Sequence, residues 1–391
     1  MKDTLTTTEI GIERLSFYVP GQYIDLATLA ERQGIDPAKF SRGIGQDKIA
    51  MPGHDEDIVT LAAEAARPVI DAAGDAEIDT VLLATETGID QSKAAGVYVH
   101  ALLGLNPNCR IVEMKHACYA ATAAIQLACG HVARKPWAKV LVIATDISRY
   151  DLDSAAEATQ GCGAVAMLIS ADPKVLTIDS VSGCFTEDIM DFWRPNYRKT
   201  PLVDGKYSAL KYMNAVANSW SDYQANGGRE FTAFSKFCYH LPFTRLGVKA
   251  HRHLCSLNAT QAQENHFADG MVYNRQVGNC YTASLYLSLI STLESAEEDL
   301  SGKPIGLFSY GSGAVAEFFS GVVQPGYRDQ LETHRHQELL DDRAALSYDD
   351  YAKMWHAPDP QDGESFCVPK SARGQFRLAR IDEHKRIYER I

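Results

Sequence analysis

Apolar positions along this chain fall into two rhythms, and their alternation predicts an α/β protein. IDTVLLATET (78–87), CRIVEMK (109–115) and AKVLVIATDIS (138–148) are near-continuous apolar runs of strand length. DIVTLAAEAARPVIDAAG (57–74) and SKAAGVYVHALLGL (92–105) repeat their apolar residues at helical spacing. A further helix, built almost wholly from small apolar residues, lies within EMKHACYAATAAIQLA (113–128). Strands that are apolar throughout need cover on both faces, so the β–α–β–α–β order argues for a sheet between layers of helices.

The second half repeats the first. GCGAVAMLIS starts at Gly161 and GSGAVAEFFS at Gly311; CYAAT starts at Cys118 and CYTAS at Cys280. Each set keeps one order: a helix opening with CY, a strand, a glycine turn and another strand. This reads as an internal duplication, with halves at 1–172 and 173–391 stacked as α/β/α/β/α. Residues from about 182 to 230, including DFWRPNYRKTPLVDGKYS, find no counterpart and predict an inserted cap. Both glycine motifs fit G-x-G-x-x-A, but each runs into a strand-like stretch and neither has a suitably placed acid. They are read as hairpin turns, not dinucleotide sites.

Composition narrows the function. Lys and Arg number 38 against 50 Asp and Glu, a formal net charge of −12, which disfavours a general nucleic-acid role. The nine cysteines are scattered without short paired spacings. No signal peptide or membrane-length apolar run is read, so the expectation is a cytoplasmic protein with free thiols. His251 and His253 lack a completing ligand at a recognised spacing, so zinc is set aside.

Five places could carry chemistry. Cys118 stands between a strand and a helix, where unpaired N–H groups stabilise a thiolate; the alternative is a buried structural cysteine. His240 ends the strand KFCYH ahead of Pro242, with a helix from about Thr244. Strand ends are where α/β proteins place their sites. That helix carries Arg245, Lys249, His251 and Arg252, able to hold phosphates or simply to be solvated. Glu86 ends an apolar strand, where partial burial would raise its pKa and make it a proton shuttle. Asn279 opens the second CY helix, as a cap or as a donor to a substrate carbonyl. Backbone N–H groups around Ser312 could complete an oxyanion hole.

With Glu86, Cys118, His240, Asn279 and SYGSG in this order, the chain resembles bacterial-type 3-hydroxy-3-methylglutaryl-CoA synthases. The resemblance runs through GIDPAKFSRGIGQDKIAMP, VLLATETGIDQSKAAGVYVHALLG, EMKHACYAATAAIQLA, TQGCGAVAML, TEDIMDFWRP, LVDGKYS, CYHLPFTRLGVKA and YNRQVGNCYTASLYLSLIS. It implies a duplicated thiolase fold, a homodimer, and a place in the mevalonate route to isoprenoids. It implies that Cys118 accepts acetyl from acetyl-CoA and that Glu86 removes a methyl proton. His240 then orients acetoacetyl-CoA and polarises its carbonyl. Asp36, Thr159, Ser208, Arg245, Lys249, Asn279 and Ser312 align with positions that contact the CoA ester. No cofactor or metal is implied, and the start of the Cys118 helix is expected to supply a thiolate near neutral pH.

Departures are Arg245 in place of a lysine, His116 in place of an acidic residue and Cys162 in place of a small one. Three rival readings stand beside this one. One is a related synthase that uses carrier-protein-bound acyl chains for polyketide β-branching. Another is a ketoacyl-synthase-III-like enzyme, which would have no need of Glu86. The third is a thiolase-fold scaffold without catalysis.

Overall fold

The computed structural model describes residues 9–74, 77–357 and 362–391. The first-half elements are β1 (Gly11–Tyr18), α1 (Ile58–Ala73), β2 (Thr80–Ala84), α2 (Ala95–Leu103), β3 (Arg110–Met114), α3 (Ala120–Arg134), β4 (Val140–Ser148) and β5 (Gly161–Ser170). The second-half elements are β6 (Leu176–Thr186), α4 (Gly205–Ala225), β7 (Lys236–Tyr239), α5 (Thr244–Leu257), α6 (Ser284–Ser295), β8 (Pro304–Gly311) and β9 (Val315–Val323).

Nine strands run in the order β7-β8-β9-β6-β1-β5-β4-β2-β3. The duplication is written in this order. β2 pairs parallel with β4, then β4–β5 and β5–β1 are antiparallel. In the same sense β7 pairs parallel with β8, then β8–β9 and β9–β6 are antiparallel. Among the described residues β3 has no partner of this kind in the second half. The two halves of this sheet meet at a short seam where Gly11 faces Thr177 and Ile12 faces Leu176.

Local chemistry explains the helices. Asp57 caps α1 through Val59 and Thr60, and Thr60 returns a bond to the Asp57 N–H, a reciprocal capping box. The buried face of α1 carries Ile58, Leu61, Ala62 and Val69 against β1, β5 and β4. Each such branched side chain contributes about 1.5–3 kcal/mol by leaving water. Small residues let α3 sit at the centre: Ala120, Ala121, Ala124 and Ala128 are fully buried. One side of α3 packs on β4, β2 and β5, while Thr122 bonds Tyr286 of α6 at 2.6 Å and Ser309 of β8 at 2.8 Å.

The expected cap divides differently. Residues 182–186 belong to β6 and pair with β9, and α4 packs on β6 and β9 as α1 packs on β1 and β5. So α4 is a regular layer helix, with an aromatic core of its own. Trp220 lies 4.9 Å from Phe318, 5.5 Å from Tyr223 and 6.1 Å from Phe231, ring to ring. What is left over is the stretch 187–204. It holds a two-residue ladder, with Leu202 and Val203 pairing Trp193 and Phe192.

The two glycine motifs also part company. The second is the predicted hairpin, from Gly311 at the end of β8 to Val315 at the start of β9. The first lies inside strand β5, after a connection of residues 149–160. Its glycine serves close approach instead: a Cβ on Gly161 would sit 2.6 Å from the Val277 carbonyl.

Candidate active site

Cys118 lies on the loop between β3 and α3. Ala117 just before it is held left-handed at φ 41°, a conformation that β-carbon sterics disfavour. The second half repeats this device at Tyr281, φ 42°. Each of these residues lies three positions before its helix, α3 at Ala120 and α6 at Ser284. Cys118 therefore corresponds to Thr282 in the repeat, not to Cys280. The matching strings CYAAT and CYTAS are two residues out of structural register. Thr282 Oγ1 accepts the Ala121 N–H at 2.8 Å, which ties the two helix starts together. Gly311 packs on the same loop, since a Cβ there would lie 2.7 Å from Tyr119 Cβ.

Cys118 is half-buried, and its thiol is pushed well above the usual range. Burial is the main cause, followed by Glu86, Asp146 and Asp191. This corrects the expected resting thiolate. A helix start is present, but desolvation and three nearby carboxyl groups outweigh its partial charge.

Glu86 lies two residues beyond β2. Its Oε1 is buried with no partner among the described residues, and its pKa is raised well above the ordinary value by burial and by Asp146, against a lowering by Arg194. A buried oxygen without a hydrogen bond is uncommon and marks a place where a substrate proton can go. Asp146, on β4, organises the turn. It accepts the Thr85 hydroxyl at 2.8 Å, the Glu86 N–H at 2.9 Å, the Thr87 hydroxyl at 2.6 Å and the Thr282 N–H at 3.1 Å. Burial brings its own pKa to about 6.

His240 follows β7 directly, as expected. Its N–H donates to the Phe308 carbonyl at 2.8 Å, and Tyr212 Oη donates to its carbonyl at 2.7 Å. The ring is buried, Nδ1 has no partner among the described residues, and desolvation lowers the pKa to about 3. The imidazole is thus neutral. Strand β8, beside His240, goes on to touch the Cys118 element through Ser309 and Gly311.

Other expected residues fall into two groups. Ser208 donates to buried Asp191 at 3.0 Å, and the same carboxylate accepts Tyr310 Oη at 2.8 Å and the Gly313 N–H at 2.9 Å. The Gly313 and Ala314 N–H groups are therefore engaged, by Asp191 and by the Glu187 carbonyl, and are not open for an oxyanion at Ser312. Asn279 is buried. Its Oδ1 accepts from the Tyr281 N–H and Ser284 Oγ, so it caps the second helix start and leaves its amide N–H groups as donors. Thr159 hydrogen-bonds Tyr150, whose environment includes Cys118 and Glu86. By contrast Asp36, Arg245 and Lys249 are exposed. They share one surface region, because Thr244 at the start of α5 bonds Gln46 and Gly45 beyond the turn that Asp36 opens.

Sequence reasoning missed Asp146, Asp191 and Arg194, as well as Tyr150, Tyr281 and Tyr310. The one available signal was an acid ending the apolar strand LVIATD, the pattern that had singled out Glu86. His116 is half-buried, with Nε2 sealed and unpartnered among the described residues. Cys162 is buried and donates to the Ala50 carbonyl. A cleft of about 1290 Å³ opens beside Glu86, lined also by His116, Ala117, Arg149, Arg194 and Tyr281. Cys118, His240, Arg245 and Lys249 lie outside that lining.

Comparison with known proteins assigns this arrangement. The family model for the hydroxymethylglutaryl-coenzyme A synthase N terminal matches residues 6–174. The C-terminal model of the same family matches 176–271 and 252–390. The chain belongs to the hydroxymethylglutaryl-CoA synthase family. Among HMG-CoA synthases it is 45% identical to the Enterococcus faecalis protein over 349 residues, 88% of this chain and 91% of that one. A solved HMG-CoA synthase complexed with CoA matches with a TM-score of 0.93 at 40% identity, over 98% of this chain and 100% of that one. The polyketide 3-hydroxy-3-methylglutaryl-ACP synthase of Bacillus subtilis (strain 168) is 35% identical over 371 residues, 88% of this chain and 87% of that one. The HMG-CoA synthase family also accounts for the duplicated, thiolase-like α/β fold. No helix among the described residues is long and apolar enough to cross a membrane.

Proposed function

We propose that this chain condenses acetyl-CoA with acetoacetyl-CoA and water to give 3-hydroxy-3-methylglutaryl-CoA and CoA, through an acetyl-Cys118 intermediate. Cys118 sulfur attacks the acetyl thioester as its proton passes to a neighbouring base, and CoA leaves as the thiol. The raised thiol pKa makes that proton transfer part of the step. The Glu86 carboxylate then takes a proton from the acetyl methyl group, which the thioester acidifies. The resulting carbanion adds to C3 of acetoacetyl-CoA, and Glu86 returns the proton to the new alkoxide. Neutral His240 hydrogen-bonds the acetoacetyl carbonyl, and water cleaves the Cys118 thioester. The observation that carries this reading is a buried Glu86 Oε1 with no partner among the described residues, close enough to act on the Cys118 thiol, in a chain of this family that also holds a buried, unpartnered His240 Nδ1. Thiol, carboxyl and imidazole, with water as the final nucleophile, carry the proton transfers and acyl transfer of this scheme, which calls for no resident cofactor.

Asn279 and Ser208, with Asp36, Thr159, Arg245, Lys249 and Ser312, are assigned to the CoA esters. Exposed Arg245 and Lys249 suit the phosphates. Free acetyl-CoA is the donor favoured over a carrier protein, in line with the higher identity to the Enterococcus faecalis enzyme than to the polyketide synthase. A cytoplasmic homodimer in isoprenoid synthesis completes the proposal. Strand β3 is a sheet edge, and Val112 on it is 42% exposed, a ladder unpaired among the described residues and suited to a second copy. The test supplies labelled acetyl-CoA and seeks label on Cys118 by mass spectrometry. Wild-type enzyme without an adduct would end the proposal. In Glu86→Ala acetylation survives while condensation collapses; equal loss of both steps would contradict the role of Glu86.

A further inference from the structure

Resting on that reading, we propose that Arg194 is a positioning residue for Glu86, clamping the peptide that carries the proton shuttle and facing its carboxylate with a positive charge. The contact spans 108 residues of chain: Arg194 Nη2 donates to the Glu86 backbone carbonyl. On the other side of the same residue, Asp146 accepts the Glu86 N–H at 2.9 Å. Glu86 is therefore gripped at its N–H by an anion and at its carbonyl by a cation. Its side-chain Oε1 stays unpartnered among the described residues, ready for a substrate proton.

The clamp is itself rigid. Asp191, three residues before Arg194, is fully buried and anchored by Tyr310, Ser208 and Gly313. Phe192 packs edge-on against Tyr150 at 6.2 Å and Tyr281 at 5.8 Å. A guanidinium has five N–H donors in a fixed fork, so one bond to a carbonyl leaves further donors on a residue that lines the same cleft as Glu86.

The charged and titratable groups around Glu86 come from every neighbouring element. They are Asp146 from β4, Cys118 from the loop before α3, Tyr150 after β4, Tyr281 before α6, and Arg194. Lys115, His116 and Arg149 line the adjoining cleft. Asp146 raises the Glu86 pKa and Arg194 lowers it, so the two oppose each other across one carboxyl group.

The experiment compares wild type with Arg194→Gln and Arg194→Lys. Two steps are followed against pH: labelling of Cys118 by acetyl-CoA, and single-turnover condensation of the acetyl-enzyme with acetoacetyl-CoA. In Arg194→Gln condensation falls by about 100-fold, the scale of a misplaced catalytic group, and acetylation falls far less. The acid limb of condensation moves up by about one pH unit or more, as expected when an opposite charge is removed. Arg194→Lys brings the limb back towards wild type while its rate stays low, because the charge returns without the fork. Should Arg194→Gln fail to fold, Arg194→Lys decides alone: slower condensation with the limb in place supports the clamp, and a wild-type rate overturns it. An unmoved limb in folded Arg194→Gln, or equal loss of both steps, also overturns it. Wild type that never acetylates Cys118 would instead defeat the functional reading beneath it.

Discussion

Glu56 allows one stability effect to be worked through from structure to assay. It is buried beside β1, where Oε1 accepts Tyr18 Oη at 2.9 Å and Oε2 accepts the Gly53 N–H at 2.7 Å. Desolvation is the largest influence and lifts its pKa from 4.5 to about 7. The folded protein therefore holds this proton more tightly than the unfolded chain does. Between pH 4.5 and about 7 the unfolded state has released it and the folded state has not, so stability falls as pH rises through that window. A shift of this size at 1.36 kcal/mol per unit amounts to about 3 kcal/mol, lost by pH 8. Glu56→Gln removes the titration and keeps both contacts. The amide oxygen can accept from Gly53, and the amide nitrogen can donate to the Tyr18 hydroxyl. Urea unfolding at fixed ionic strength from pH 5 to 8 measures the difference between the two proteins. Wild type should lose about 2.5 kcal/mol relative to Glu56→Gln across this range, the rest of the effect having been lost below pH 5. Parallel curves, or a wild type that gains stability with rising pH relative to the variant, would refute the reasoning.

Three further outcomes are expected. Asp146→Asn removes the charge that raises the Glu86 pKa, so the acid limb of single-turnover condensation moves to lower pH, opposite to Arg194→Gln. Asn279→Ala removes the acceptor of the Tyr281 N–H and Ser284 Oγ bonds, costing about 1 kcal/mol in thermal unfolding and weakening saturation by acetoacetyl-CoA. Trp220→Ala empties the aromatic core under α4 and costs about 3–5 kcal/mol in urea unfolding, while activity per folded molecule is retained.

Particular residues show how far local reasoning reached. Glu86, Cys118 and His240 were found from where strands stop and helices start, and each is at such a junction. The thiolate expectation failed at one of these places because a helix start is a local feature, whereas the carboxyl groups of Glu86, Asp146 and Asp191 arrive from elsewhere in the chain. The glycine motifs failed by half. GCGAVA and GSGAVA are nearly the same string, but one sits in a strand after a long connection and the other in a tight hairpin. The CY repeat slipped by two residues because string identity does not record where the left-handed residue falls.

By itself the sequence determined the α/β alternation, the duplication and the three candidate reactive groups. All of these follow from periodicity, junction residues and motif order, which neighbours along the chain set. Only the tertiary structure decided that α4 is a layer helix, that Cys118 is the counterpart of Thr282, and that Asp146, Asp191 and Arg194 hold the site. Those facts depend on partners such as Arg194 and Glu86, 108 residues apart. Burial and hydrogen bonding at that separation arise from packing, and packing leaves no period in the sequence to read.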